Sequence, residues 1–260
     1  NLWKEIERFQ TCDIVYCFGE ERHPVTAADC ASFLTAQNGL PVQDEKGNFV
    51  LDEEAVAAYV QSLAEEYDGY GRTRQFHSTR GDVITIEGGT YGSKMDRKKE
   101  TAYLLEHLLD PGVHTGIPQT HIPIYEREAF CYGKNDIGDT YIEVDMTEQK
   151  MYYYEKGVLK LETEIVTGNM RRRMGTPEGV NFVYNKQKNR VLRGPGYASP
   201  VKFWMPVKGG IGIHDAGWRK EFGGDIYQTA GSHGCINTPK DKMEELFDCV
   251  QIGTPVVMFY

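Results

Sequence analysis

Ser232-His233-Gly234-Cys235-Ile236-Asn237, reached from Ile213-His214-Asp215 across a glycine-rich, aromatic-containing loop, sets one cysteine beside two histidines. That is the equipment of a thiolate nucleophile, because a neighbouring imidazole that lowers a thiol pKa or takes its proton makes the sulfur reactive near neutral pH. Gly234, directly before the cysteine, lets the backbone turn tightly and leaves room for a substrate carbonyl beside main-chain amides. Each piece alone says little. A lone cysteine is more often a small buried hydrophobe, and His214, closing the alternating Gly210-Ile211-Gly212-Ile213-His214, reads by itself as a hydrogen-bonded histidine at a strand end. The conjunction carries the weight, since strand ends and the loops beside them are where catalytic groups are presented.

Outward from this stretch the chain is strand-rich. Thr140 to Met146 alternates, Lys150 to Tyr154 is aromatic and β-prone, and Glu155-Lys156-Gly157 predicts a hairpin turn into Val158 to Thr167. Further strands are predicted at Val180 to Asn185, Val201 to Met205, Gly210 to His214 and Pro255 to Tyr260. Pro239 to Val250 is the one clear helix here, with Thr238 as its cap, Pro239 in its first turn, and Met243, Leu246, Phe247 and Val250 at core-facing spacing. Cys249, at its end, is expected to be buried.

The N-terminal half mixes element types. Thr26 to Gln37 predicts a helix capped by Thr26 with Asp29 three residues on. Asp52 to Tyr67 predicts a longer one, with an Asp cap, Glu53 and Glu54 at the favourable end and Gly69 beyond the stop. Asp96 to Leu109 predicts a third, ended by Asp110-Pro111-Gly112, and strands fall at Arg74 to Ser78 and Val83 to Glu87. Val113 to Ile137, broken by proline and glycine, reads as a connection. The expected organisation is therefore an α+β N-terminal domain with its connector over residues 1–137 and a β-rich domain, mixed sheet or sandwich with one helix, over residues 138–260.

Composition narrows the function classes. The chain has 260 residues, 40% of them hydrophobic, and a mean hydropathy of -0.51, which suits a soluble protein of two modest cores. No segment reaches the roughly 18 apolar residues of a membrane span. A start at Asn1, without Met or leader, reads as a mature or trimmed chain. A net charge of -9 argues against nucleic acid, which needs clustered Lys and Arg. Arg171-Arg172-Arg173 is the one basic cluster, either a solvated loop or an attractor for acidic groups of a polymeric partner. The six cysteines form no CxxC pair, which disfavours a zinc ribbon or a thioredoxin-like site. Cys12, Cys17 and Cys30 leave room for one bridge.

The pattern of His214, seventeen intervening residues and then Ser-His-Gly-Cys followed by an aliphatic residue and Asn resembles the signature of the L,D-transpeptidase, or YkuD-like, family. Thr176-Pro177-Glu178-Gly179, Ser199-Pro200, Phe203-Trp204-Met205-Pro206 and Gly212-Ile213-His214-Asp215 occur in the order expected of that catalytic domain, from near Gly138 to Tyr260. The N-terminal half is similar, more loosely, to the peptidoglycan-binding domain that often precedes it, with Gly89-Thr90-Tyr91-Gly92 and Met95-Asp96 as markers.

The resemblance implies cell-wall biogenesis and cell shape as the setting, and carbapenems as covalent inhibitors. The expected chemistry is attack of the Cys235 thiolate on a peptide carbonyl, loss of the amine and formation of a thioester. His214 is the expected base, oriented by a backbone carbonyl, because Asp215 beside it on an extended strand faces the other way. His233 is the rival base or a loop-shaping residue. Amides near Gly234 and Cys235 are expected to form an oxyanion pocket, each donor being worth roughly 3 kcal/mol in comparable sites. Ser232 and Asn237 are expected in the substrate-binding set as local hydrogen-bonding groups, with Trp204, Trp218 and Tyr227 lining the groove entrance or, equally, packing in core and loop.

By the same resemblance the substrate is a peptidoglycan stem tetrapeptide, cleaved between the L-centre of its third residue and the terminal D-Ala and passed to the side-chain amine of a second stem, giving a 3→3 cross-link. Release to water instead is L,D-carboxypeptidase activity. The location implied is the extracellular face of the envelope, with a membrane anchor outside this chain. No cofactor or metal is expected. Three other readings compete: a zinc module using His214, His233 and Cys235, which lacks an evident fourth ligand; a non-catalytic cell-wall-binding protein with an inert thiol; and a papain-like protease, whose characteristic residues around the cysteine are absent and whose chain order is reversed.

Overall fold

The computed structural model describes residues 2–194 and 196–260, with backbone alone at Tyr197. Two compact units emerge, one formed by Asn1–Gly69 and Gly92–Asp136, the other by Tyr70–Tyr91 and Ile137–Tyr260.

In the first unit, the strand Ile14–Phe18 pairs antiparallel with Glu21–Pro24 and parallel with Gln119–His121. Helices Leu2–Gln10, Ala27–Ser32, Glu53–Tyr67 and Arg97–Leu108 accompany it, and Phe9, Tyr16, Phe18, Phe33, Val60 and Leu104 meet in its core. The caps explain the helix starts. Thr26 and Asp29 form a reciprocal capping box, and the Asp52 carboxylate accepts from the amides of Glu54 and Ala55, satisfying donors that the first turn leaves open. The helix predicted over 26–37 is shorter than expected. Asn38 and Gly39 both adopt positive φ, 53° and 81°, the hairpin turn an Asn-Gly pair favours, and this draws Ala36–Gln37 into a strand pair with Leu40–Pro41. The predicted connection is likewise structured, since Gln119–His121 joins the sheet and Tyr125–Arg127 pairs with Lys94–Met95.

The second unit is the β-rich one. A five-stranded sheet runs Val158–Glu164, Lys150–Glu155, Tyr141–Asp145, Pro255–Phe259, Gly179–Phe182, and a four-stranded sheet runs Gln187–Gly194, Tyr197–Lys208, Ile211–Asp215, Ile236–Thr238. Lys156 and Gly157, at φ 50° and 76°, make the predicted hairpin turn with the twist its strands require. Ile142, Val144 and Met258 from one sheet and Phe203, Met205 and Ile213 from the other share one core with Met243 and Leu246 of the helix Lys240–Cys249.

Several details depart from expectation. Thr238 does not cap that helix. Its backbone is held extended by parallel pairing with Asp215, so Pro239 takes the N-cap position. Cys249 is exposed, because it falls off the stripe defined by Met243, Leu246 and Phe247. A short helix, Ile226–Ala230, sits in the loop before the signature, and the strand Gln187–Gly194 was not predicted.

The hairpin of Arg74–His77 and Val83–Ile86 clusters with the second unit, which corrects the single cut at 137/138 that left it with the N-terminal half. The reason lies in the polar face of Tyr141–Asp145. Glu143 is 0% exposed and Asp145 1% exposed. Glu143 accepts from the Thr79 amide at 2.8 Å and the Thr79 hydroxyl at 2.7 Å, and the Arg80 guanidinium donates to Asp145 at 3.1 Å. Buried carboxylates need such partners, and the hairpin tip supplies them. Further along, the Thr90 and Tyr91 amides both donate to the Val180 carbonyl at 3.0 Å.

Candidate active site

The strands Ile211–Asp215 and Ile236–Thr238 run parallel in the register Ile213 to Ile236, His214 to Asn237 and Asp215 to Thr238. Alternation along both sends Ile213 and Ile236 into the core and turns His214 and Asn237 to the opposite face as neighbours. Cys235 sits immediately before the paired segment. Gly212 is required by close approach, since a Cβ there would lie 2.5 Å from the Met205 carbonyl oxygen and 2.7 Å from the Trp204 ring.

The turn carrying the cysteine is pinned from several sides. Gly234 has φ 116°, a conformation that disfavours any side chain. Its amide donates to Ser232 Oγ at 3.0 Å, and that hydroxyl donates to the Cys235 carbonyl at 2.5 Å. The Gly234 carbonyl accepts from the buried Thr176 hydroxyl at 2.8 Å, which itself accepts from the Gly168 amide at 2.9 Å. Ser232 is thereby committed to the turn, and the Gly234 amide, expected in the oxyanion pocket, is engaged. The sequence marks Thr176 only as part of Thr-Pro-Glu-Gly; its hydroxyl reaches a carbonyl 58 residues further along the chain, a tertiary relationship without a local signal.

His214 is buried, at 4% exposed, with its ring between those of Trp204 and Trp218 at centroid distances of 5.9 and 5.8 Å. Nδ1 lies 2.8 Å from the Asp215 main-chain carbonyl, which can only accept, so Nδ1 carries the proton in the neutral ring and Nε2 keeps its lone pair. The Asn237 carboxamide nitrogen is 3.1 Å from Nε2. Asn237 Oδ1 in turn accepts from Arg219 Nε at 2.7 Å, and Arg219 also donates to the Ala230 carbonyl at 2.9 Å. Burial holds the imidazole below its ordinary pKa of 6.5, the hydrogen bond and charge of Asp215 oppose this, and the Arg219 charge adds to it. The Asp215 carboxylate points elsewhere, accepting from the Phe203 amide at 2.7 Å.

The Cys235 thiol is partly exposed and donates to the Gly210 carbonyl at 3.7 Å. Burial pushes its pKa above the ordinary 9.0, with a backbone hydrogen bond to Gly212 opposing. Cys235, His214, His233, Asn237 and Trp218 line one cavity of about 170 Å³. A resting thiol therefore shares an opening with a neutral imidazole whose Nε2 can take a proton, which is an arrangement able to generate a nucleophile when a substrate arrives.

The other expected residues divide. His233 is exposed on the cavity rim. Trp218 is 51% exposed and lines the opening. Trp204, at 5% exposed, packs against His214 and Gly212 instead of forming an entrance, because its strand pairs it directly opposite His214. Tyr227 is not among the cavity-lining residues; its carbonyl accepts from the Met170 amide at 3.3 Å. Asn237, expected to meet substrate, spends both ends of its carboxamide inside the protein. Arg219, which sequence reasoning missed, lies in a loop with nothing local to mark it.

Arg171, Arg172 and Arg173 are exposed on a loop fastened to the segment beside the signature by the Asn169 amide to the Ser232 carbonyl and the Arg171 amide to the Gln228 carbonyl. All six cysteines are free thiols. Among the described residues, no group of three or more His, Cys, Asp or Glu side chains is placed to hold a metal ion.

A family model of the L,D-transpeptidase catalytic domain, YkuD, matches residues 139–258. A second, described as "Putative peptidoglycan binding domain", matches residues 33–112. The chain is similar to the crystal structure of a cysteine-to-serine mutant of an Enterococcus faecium L,D-transpeptidase, at 36% identity and a TM-score of 0.84 over 99% of each chain. It is equally similar to the structure of the Ldtfm-avibactam carbamoyl enzyme, at 36% identity and a TM-score of 0.84 over 99% of this chain and 97% of that one. No curated protein matches. The chain belongs to the L,D-transpeptidase family and is an enzyme of that class, acting on peptidoglycan at the cell envelope. No helix among the described residues is long and apolar enough to cross a membrane.

Proposed function

We propose that Cys235 is the nucleophile of this L,D-transpeptidase and His214 its base, and that the reaction joins two stem peptides by a 3→3 cross-link. Nε2 of His214 takes the Cys235 proton as sulfur attacks the carbonyl between the third residue and the terminal D-Ala. The C–S bond forms, the C–N bond breaks, and the imidazolium returns its proton to the departing amine. The side-chain amine of a second stem then attacks the thioester, gives a proton to His214, and restores the thiol. With the Gly234 amide engaged by Ser232, the Cys235 amide is the donor left to the oxyanion. Ser232 shapes the turn, Asn237 acts on His214, His233 and Trp218 border the substrate, and Trp204 shields the base.

One observation carries this reading: the thiol of Cys235 and a neutral, Nδ1-protonated His214 border the same small cavity. The location proposed is the outer face of the envelope, where stem peptides lie, with the membrane anchor usual in the family. Incubation with purified disaccharide-tetrapeptide followed by mass spectrometry tests it. A dimer lacking one D-Ala supports transpeptidation. Monomers shortened by one D-Ala assign carboxypeptidase activity, and an unaltered substrate rejects the proposal.

A further inference from the structure

We propose that Arg219 is a positioning residue which, through the carboxamide of Asn237, reinforces the His214 tautomer favoured by the Asp215 carbonyl and opposes protonation of Nε2 in the resting enzyme. The inference rests on the reading of His214 as the base and deepens it.

The hydrogen-bond chain can be assigned from either end. A guanidinium Nε–H only donates, so the atom of Asn237 that meets Arg219 at 2.7 Å is the carboxamide oxygen. The amide nitrogen is then the atom facing His214 at 3.1 Å, and because it only donates, Nε2 must offer a lone pair. At the opposite end a main-chain carbonyl, an acceptor, meets Nδ1 at 2.8 Å. Both ends require the same Nδ1–H tautomer. Protonation of Nε2 would set one N–H against another N–H unless the carboxamide turned over. Turning it would place the NH₂ against Arg219, so the guanidinium opposes the flip.

The Asp215 main-chain carbonyl favours the same tautomer from the Nδ1 side, but only the Asn237 contact acts at Nε2. The charged and titratable groups around the ring are Asp215, Arg219, His233 and Cys235, and the Asp215 carboxylate is occupied by the Phe203 amide. The rings of Trp204 and Trp218 lie 5.9 and 5.8 Å from the imidazole and carry no charge. Arg219 is itself held in place by the Ala230 carbonyl at 2.9 Å. What the arrangement does for the enzyme is specific: it holds the resting ring neutral on the acid side of neutrality, and the Asn237 carboxamide has to give up Nε2 before that nitrogen takes the thiol proton.

The test uses the whole chain with isotopically labelled histidine and nitrogen NMR. In the unsubstituted protein, His214 is expected as the Nδ1–H tautomer; an Nε2–H tautomer overturns the proposal without any variant. Arg219→Met and Asn237→Ala are each expected to raise the His214 titration midpoint, and the double variant to raise it no further than Asn237→Ala alone, since groups acting as one chain are not additive. Asn237→Ala keeps the Arg219 charge, so a midpoint left at its original value there, or a double variant equal to the sum, shows a through-space charge effect and overturns the relay. Arg219→Lys, which keeps a donor, is expected to hold the midpoint where it began. For each unit by which the midpoint rises, acylation by a carbapenem is expected to slow about tenfold on the acid limb and little at pH 8. Because tautomer and midpoint are read without turnover, they separate failure of this relay from failure of His214 as base, which would appear as undiminished acylation in His214→Ala.

Discussion

His214 Nδ1 donates to the main-chain carbonyl of Asp215, its own successor in the chain, at 2.8 Å. A dipole thus occupies the place that a carboxylate takes beside the imidazole of a Ser-His-Asp triad, while the Asp215 carboxylate is engaged by the Phe203 amide.

Asp215→Asn is therefore expected to slow acylation less than tenfold, since the orienting carbonyl belongs to the backbone and survives the change. In a side-chain triad the corresponding substitution costs about 10⁴-fold. Stopped-flow acylation by a carbapenem distinguishes the two, and a loss of the larger size would assign Asp215 a direct role.

Cys235→Ala should fold normally and lose acyl transfer entirely. Intact-protein mass spectrometry of the unsubstituted protein after carbapenem exposure should show one adduct, located at Cys235. Labelling at Cys12 or the exposed Cys249 in its place would contradict the site.

His214→Ala should slow acylation by roughly 10²-fold to 10⁴-fold, the usual contribution of a positioned base, and His233→Ala by much less. His233 is exposed on the rim while His214 is buried with a defined tautomer. The opposite ranking, measured side by side, would exchange their roles.

The pH dependence follows from both shifts. Burial holds His214 below 6.5 and Cys235 above 9.0, so the resting pair is neutral between these values and the acylation rate should be flat across that window, falling only on its acid side as His214 protonates. Stability has its own signs. The unfolded chain protonates this histidine below 6.5 while the folded one does not, so stability drops as pH falls below 6.5. Above 9.0 the unfolded thiol ionises first, so stability drops as pH rises. Thermal melts across pH 5 to 10, compared with His214→Ala and Cys235→Ala, measure each contribution.

Arg80→Met should destabilise the β-rich unit by about 1.5–3 kcal/mol, the range for a lost hydrogen bond to a charged group, because Asp145 stays buried with one partner fewer. The Thr147 and Glu148 amides still donate to that carboxylate at 3.0 and 2.9 Å and limit the loss. Denaturant unfolding measures it, and an unchanged midpoint would mean that the Arg80 to Asp145 contact contributes nothing to the fold.

Much of this molecule was legible in local pattern. Thr26 with Asp29, and Asp52 before Glu53, marked helix starts because capping is chemistry between residues two or three apart. Lys156-Gly157 marked a hairpin because its backbone angles suit few residues. Thr238 misled for a related reason: it has the composition of a cap, but pairing with Asp215, 23 residues earlier, keeps it extended. Tyr141 to Asp145 alternates like a strand with one wet face, and only the docked Thr79-Arg80 tip makes both faces dry.

The proposed nucleophile, its proposed base and the family signature were present in the order of residues alone, since Cys, His and Gly carry their chemistry and backbone freedom wherever the chain puts them. Tertiary structure decided the state of that chemistry. Which nitrogen of His214 bears the proton, why Asn237 turns inward, and what Arg219 and Thr176 hold all depend on contacts between distant segments. Hydrogen-bond direction and desolvation are set by neighbours in space, and a linear sequence does not specify those neighbours.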